Sequence, residues 1–129
     1  MAKILLVDDS MSMRAFVRSA LVANPAVLGD DGEVVEAAGG FEALRLLPRG
    51  PYELVITDIN MPDVNGLELV QFMRKSDQHK NTPIILISTQ KAQRDKDRGL
   101  RLGANVYIEK PFTADALCAE AIRQLGRDG

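Results

Sequence analysis

Four apolar runs in this chain each lead to a residue that could do chemistry. Ile4-Leu5-Leu6-Val7 runs into Asp8-Asp9, and Leu54-Val55-Ile56-Thr57 runs into Asp58. Ile84-Ile85-Leu86-Ile87 stops at Ser88, and Val106-Tyr107-Ile108-Glu109 stops at Lys110. If the runs are strands of a parallel α/β sheet, their carboxyl ends share one edge, where ligands bind. Three carboxylates, a hydroxyl and an ammonium then converge. Crowded carboxylates repel one another unless a cation sits among them. The pattern asks for a divalent metal, with one carboxylate left over for covalent chemistry.

The elements that must position these groups alternate along the chain. Apolar strand-like runs are separated by helical patterns, which implies βαβ units and a parallel sheet. Lys3 to Val7 reads as the first strand, and its unbroken apolar character means both faces are covered. Ser10 or Ser12 can cap the helix that follows. Met13, Phe16, Val17, Ala20 and Leu21 give that helix an apolar face at helical spacing, and Asn24-Pro25 ends it. Residues 24 to 32 read as a connection closed by the turn Asp30-Asp31-Gly32. Glu33 to Ala37 is a short, less apolar second strand, expected at the sheet edge. A short helix from Gly40 to Leu47 turns Ala43, Leu44 and Leu47 inward and stops at Pro48. The third helix presents Leu67, Val70 and Met73, with Leu69 and Phe72 alongside. Pro83 opens the fourth strand, where its missing N–H does least harm. The fourth helix, from about Gln90 to Leu102, is crowded with charge and has Asp97 and Arg101 spaced for an i,i+4 pair. Gly103 ends it. Thr113 caps the last helix, with Leu117, Ala121 and Leu125 inward.

The bulk numbers set limits. The chain has 129 residues, of which 26 % are charged and 46 % hydrophobic. That suits one globular domain over residues 1–129. A net charge of -2 argues against direct nucleic-acid binding, which needs a clustered basic face. The single cysteine, Cys118, cannot form an internal disulfide, so a reducing compartment fits. No apolar run approaches membrane-spanning length, and the first residues lack the pattern of a signal peptide. The expected location is the cytoplasm, without membrane insertion. His79 lies in the polar stretch Ser76-Asp77-Gln78-His79-Lys80-Asn81 and reads as a solvated loop residue. Cys118 reads as half-buried and inert.

Taken in order, the motifs resemble the receiver domain of bacterial two-component response regulators, and among these the single-domain chemotaxis type. The matching pieces are Asp8-Asp9-Ser10 after the first strand, Thr57-Asp58-Ile59-Asn60-Met61-Pro62, and Gly66-Leu67-Glu68-Leu69. They continue with Pro83 to Ser88, Gly103-Ala104, and Tyr107 to Phe112 around Lys110-Pro111. Together they span essentially the whole chain. The resemblance implies a (βα)5 doubly wound, flavodoxin-like parallel sheet with strand order 2-1-3-4-5 and helices on both faces. That order is inherited from the resemblance, chemotaxis receivers being a standard example of this fold class.

The resemblance also implies roles. Asp58 is the phosphoacceptor, whose carboxylate oxygen takes a phosphoryl group as an acyl phosphate. Mg²⁺ is held by Asp9 and Asp58 directly, by Asp8 through water, and by the backbone carbonyl of Asn60. Lys110 pairs with Asp58 and then with the phosphoryl group, and Lys110-Pro111 matches the family's cis peptide. Ser88, in place of the commoner threonine, donates to a phosphoryl oxygen, and Tyr107 is the aromatic switch position. Thr89 stands where the family usually has alanine or glycine, and its bulk would narrow access to Asp58. Asn60 and Gln90 occupy positions that tune the lifetime of the acyl phosphate. The chain is then no classical enzyme, because it catalyses only its own phosphorylation and dephosphorylation.

The implied partners are a histidine kinase and an effector, such as a motor protein, that binds the face of the fourth helix, fifth strand and fifth helix. The protein would act as a monomer or as a phosphorylation-dependent dimer. A phosphate sink, a kinase-regulating receiver, and a receiver cut from a longer regulator with a DNA-binding or enzymatic output remain alternatives. A haloacid-dehalogenase type phosphatase is excluded because it needs Asp-x-Asp, and no second aspartate lies two residues beyond Asp8 or Asp58. Phosphate-loop and dinucleotide fingerprints are absent as well.

Overall fold

Five short strands, most of them apolar on both faces, build the sheet of the computed structural model, which describes residues 2–89 and 93–126. They are β1 (Lys3–Val7), β2 (Glu33–Ala37), β3 (Leu54–Asp58), β4 (Ile84–Ser88) and β5 (Val106–Glu109). All pairings are parallel, in the order β2-β1-β3-β4-β5. β3 and β4 are buried at every position, as the continuous apolar runs predict for central parallel strands. β2 carries Glu33 and Glu36 and sits at one edge.

The described helices are α1 (Met11–Ala23), α2 (Pro25–Leu28), α3 (Gly40–Leu46), α4 (Gly66–Lys75), α5 (Gln93–Leu102) and α6 (Ala114–Gln124). Side chains alternate across each strand, so the sheet feeds two cores. Ile4, Leu6, Leu54, Ile56, Ile85 and Ile87 pack with Val17 and Leu21 of α1 and with Leu117 and Ala121 of α6. Leu5, Val7, Val55, Ile84 and Leu86 pack on the other face with Ala43 of α3 and with Leu67, Val70 and Met73 of α4. The doubly wound arrangement implied by the motifs is therefore present.

Local details depart from the sequence reading. The connection after α1 contains α2, a single turn that starts at Pro25 and is capped by the Asn24 side chain, which accepts from the Ala26 amide at 3.0 Å. The helix expected from Gly40 to Leu47 ends at Leu46, and Leu47 to Arg49 form a 3-10 turn with Pro48 inside it. Phe16 and Phe72 are 42 % and 47 % exposed, so neither belongs to the core. Phe16 instead leans on Phe112, with ring centroids 5.8 Å apart.

His79 is buried, contrary to its polar surroundings in sequence. Its Nε2 lies 2.8 Å from the carbonyl oxygen of Leu47, its ring faces Tyr52, and its Nδ1 is buried without a partner. A carbonyl only accepts, so the proton sits on Nε2. Cys118 is fully rather than half buried, and its thiol donates to the carbonyl of Ala20 at 3.2 Å.

Candidate functional site: a carboxylate cluster at the carboxyl edge of the sheet

Parallel register delivers the site. Val7 pairs with Thr57, and Asp58 pairs with Ile87. Asp8, Asp58 and Ser88 therefore leave three adjacent strands at the same level. Ligand atoms of Asp8, Asp9 and Asp58 all lie within 4.8 Å of one another. Asp8 and Asp58 are buried, and Asp9 is exposed. Lys110, at the end of β5, reaches across β4 to place Nζ 3.3 Å from Asp58 Oδ2 and 3.7 Å from Asp8 Oδ2. The Lys110-Pro111 peptide is cis, as the motif resemblance implied; Gly50-Pro51, which nothing in the sequence singled out, is cis too.

Backbone amides hold the carboxylates. The Ser10 amide donates to Asp8 Oδ1 at 2.8 Å, and the Asn60 amide donates to Asp58 Oδ1 at 3.2 Å. Ser10 also caps α1, its hydroxyl accepting from the Met13 amide, so one residue both starts the helix and fixes Asp8. The Asn65–Glu68 capping box starts α4. Gly66 lets that start lie directly on the backbone of Asp58, where a Cβ would collide with the Asp58 carbonyl oxygen.

Burial pushes the Asp8 carboxyl above its ordinary value; the Ser10 amide opposes this, Asp58 adds to it, Lys110 opposes it and Asp9 adds to it. Three carboxylates face one ammonium, so the cluster is short of positive charge. Its donors are all hard oxygens on a partly open edge, the set that Mg²⁺ prefers. The residues present fit that ion.

Ser88 is fully buried, and its Oγ accepts from Asn60 Nδ2 at 3.1 Å. Its hydroxyl lies beside the phenol of Tyr107. Burial raises the Tyr107 phenol above its usual value, and the Ser88 hydrogen bond opposes that. Tyr107 is half-buried against the core formed by α3 and α4. Thr89 is exposed. Gln90 lies outside the described residues.

Two contributors escaped the sequence reading. Arg14 donates from Nη1 to the carbonyl of Asp8 at 2.7 Å and from Nε to Glu36 Oε1 at 3.2 Å. Glu36 also pairs with Arg18 at 3.0 Å. This chain of contacts ties the edge strand β2 to the acidic turn. Asp63, in the loop after β3, accepts from the amides of Gly40 and Phe41 at 3.1 and 3.0 Å and so holds the start of α3. Neither contact has a local sequence signal, because the partners lie on different elements.

A doubly wound sheet with an acidic triad and a lysine at its carboxyl edge is the architecture of a receiver domain. The family model of the response regulator receiver domain matches residues 4–122, and the chain belongs to that family. It is 40 % identical over 116 residues to a chemotaxis protein CheY homolog of Campylobacter jejuni, covering 89 % of this chain and 85 % of that one. Chemotaxis protein CheY1 of Helicobacter pylori is also 40 % identical, covering 89 % and 90 %. Among solved structures, chemotaxis protein CheY4 of Vibrio cholerae superposes with a TM-score of 0.84 at 36 % identity, covering 95 % of this chain and 98 % of that one. The Francisella response regulator 1452 receiver domain gives 0.85 at 28 % identity, covering 98 % of each.

Proposed function

We propose that this receiver accepts a phosphoryl group on Asp58, with Mg²⁺ bound, and thereby switches its affinity for a protein partner in chemotaxis-type signalling. The observation that carries the reading is Lys110 Nζ lying between the buried carboxylates of Asp58 and Asp8. Asp58 Oδ1 is held by the Asn60 amide while Oδ2 faces Lys110. The carboxylate is thus oriented before any donor arrives, which removes part of the entropic barrier.

In the transfer, an Asp58 oxygen forms a P–O bond as the P–N bond of a kinase phosphohistidine breaks. The leaving imidazole keeps the bond electrons and takes up a proton from solvent. Lys110 follows the negative charge from the Asp58 carboxylate to the phosphoryl oxygens. Asp8, Asp9, Asp58 and the Asn60 carbonyl would hold Mg²⁺. When bound, the ion neutralises phosphoryl charge and clamps its geometry. Ser88 would then donate its hydroxyl to a phosphoryl oxygen, and Tyr107 would follow. That movement would reshape the face of α5, β5 and α6, the fourth-helix, fifth-strand and fifth-helix surface of the (βα)5 count.

The chain's own turnover is limited to its phosphorylation and dephosphorylation, and its place is the cytoplasm. Among the described residues no helix is long and apolar enough to cross a membrane. The relatives are named chemotaxis proteins, which supports chemotaxis-type signalling, and a motor protein is the effector that reading implies.

Intact mass after incubation with Mg²⁺ and a small-molecule phosphodonor tests the reading. Wild type should gain one alkali-labile phosphoryl group, and Asp58→Asn none. A gain in Asp58→Asn equal to wild type would overturn it. A flagellar motor component should be captured more strongly by the phosphorylated form; equal capture by both forms would remove the motor as partner.

A further inference from the structure

We propose that the side-chain amide of Asn60 is a latch that holds the Ser88 hydroxyl in its resting position and so opposes the switch. The inference rests on the phosphoacceptor reading above and assigns Asn60 a part that its backbone carbonyl does not play. Asn60 is exposed on the loop after β3, and Ser88 is fully buried at the end of β4, 28 residues away in sequence. The two are joined by the 3.1 Å hydrogen bond from Nδ2 to Oγ. The Ser88 hydroxyl also lies beside the phenol of Tyr107. A serine hydroxyl has one proton and two lone pairs. Accepting from Asn60 Nδ2 fixes where the Ser88 Oγ sits.

Neighbouring main chain fixes both ends of this hydrogen bond. The Ile59 amide donates to Ile87 O at 3.0 Å, the Lys110 amide donates to Ser88 O at 2.9 Å, and the Asn60 amide donates to Asp58 Oδ1 at 3.2 Å. The backbones of the three strand ends are thus pinned, and the freedom that remains is in the side chains. In the latch, the Ser88 side chain swings toward a phosphoryl oxygen on Asp58 and away from Asn60. The Asn60 bond is made in the resting state and given up in the switched one. It therefore biases the equilibrium toward rest, because only an interaction that differs between two states shifts the balance between them. Asn60 is a positioning residue, acting through Ser88.

A double-mutant cycle tests this. Beryllofluoride, a phosphoryl mimic, is titrated at saturating Mg²⁺ into wild type, Asn60→Ala, Ser88→Ala and the double variant, with the Tyr107 and Ala104 amide resonances as readout. Alanine keeps the backbone carbonyl at position 60. The midpoint for Asn60→Ala should fall about threefold to tenfold below wild type, the range that one hydrogen bond carries. In the Ser88→Ala background the same substitution should have no effect of that size. A midpoint that rises or stays put in Asn60→Ala, or that changes equally in both backgrounds, would overturn the latch. If wild type itself takes no beryllofluoride, the phosphoacceptor reading fails and the latch with it. A responsive wild type without coupling removes the latch alone.

Discussion

Asp8 is where a single residue says most about the site. Its carboxyl is raised above 3.8 chiefly by burial. A carboxyl pKa raised by folding means that the native state binds the proton more tightly than the unfolded chain. The metal-free protein therefore loses stability as pH rises from below 3.8 through the raised value, and the deficit persists at neutral pH. Mg²⁺ should relieve it, since a ligand that binds only the folded state stabilises by about 2.7 kcal/mol at a hundredfold excess over Kd. Calorimetric Mg²⁺ affinity should be flat at neutral pH and should begin to fall on acidification at a higher pH than an ordinary aspartate would give. Asp8→Asn should raise the melting temperature without metal and lose most of the Mg²⁺-induced rise. An Asp8→Asn protein that keeps the full Mg²⁺ response would contradict the assignment. Residue-level reading of the sequence reached every member of this cluster, because each stands where an apolar run meets polar residues. It misplaced His79, whose hydrophilic neighbours gave no sign of the Leu47 carbonyl that holds it.

At the level of elements, strand positions were legible from the runs and two helix starts from their caps, since Ser10 and Thr113 each accept from an amide three residues on; the Asn65 cap of α4 was not singled out in the sequence. The amphipathic patterns were less reliable, because a helix packed on a sheet buries a narrower stripe than a count of apolar residues suggests. Phe16 and Phe72 fit the helical period yet face outward. Contacts between elements were not legible. Asp63 holds the start of α3 from 22 and 23 residues away. Its carboxyl lies below the ordinary 3.8, chiefly through the Phe41 amide and then that of Val64. Its help to the fold should be complete above 3.8 and fade as pH falls through the lowered value. Asp63→Ala should accordingly destabilise at neutral pH and lose its effect in acid, as urea unfolding across pH would report. Gly66→Ala probes the other seam. A methyl there collides with the Asp58 carbonyl, and overpacking of this kind costs about 1–3 kcal/mol. The variant should melt earlier and also bind Mg²⁺ more weakly, because the start of α4 and the backbone of Asp58 must shift together. A Gly66→Ala protein with wild-type Mg²⁺ affinity would show the two to be independent.

For the molecule as a whole, two cores on opposite faces of one sheet place five strand ends on a common edge. The site is a consequence of that parallel layering and of the cross-strand register. Leu6 and Ile56 sit in one core while Leu5 and Val55 sit in the other. Truncating a fully buried Leu6 to alanine should cost about 2–5 kcal/mol, read as a lowered urea midpoint with little change in m-value. A loss well under about 1 kcal/mol would mean that this core closes over the gap with ease. The receiver family match covers residues 4–122, nearly the whole of the sheet and its helices.

The central claim is that Asp58, and neither of the two neighbouring aspartates, carries the phosphoryl group. Borohydride reduction after treatment with Mg²⁺ and a phosphodonor converts an acyl phosphate to the alcohol, and peptide mass mapping then locates it. Homoserine is expected at position 58, with Asp8 and Asp9 intact. Reduction at Asp8 or Asp9, or none at position 58 in a protein shown to bind Mg²⁺, would contradict the claim.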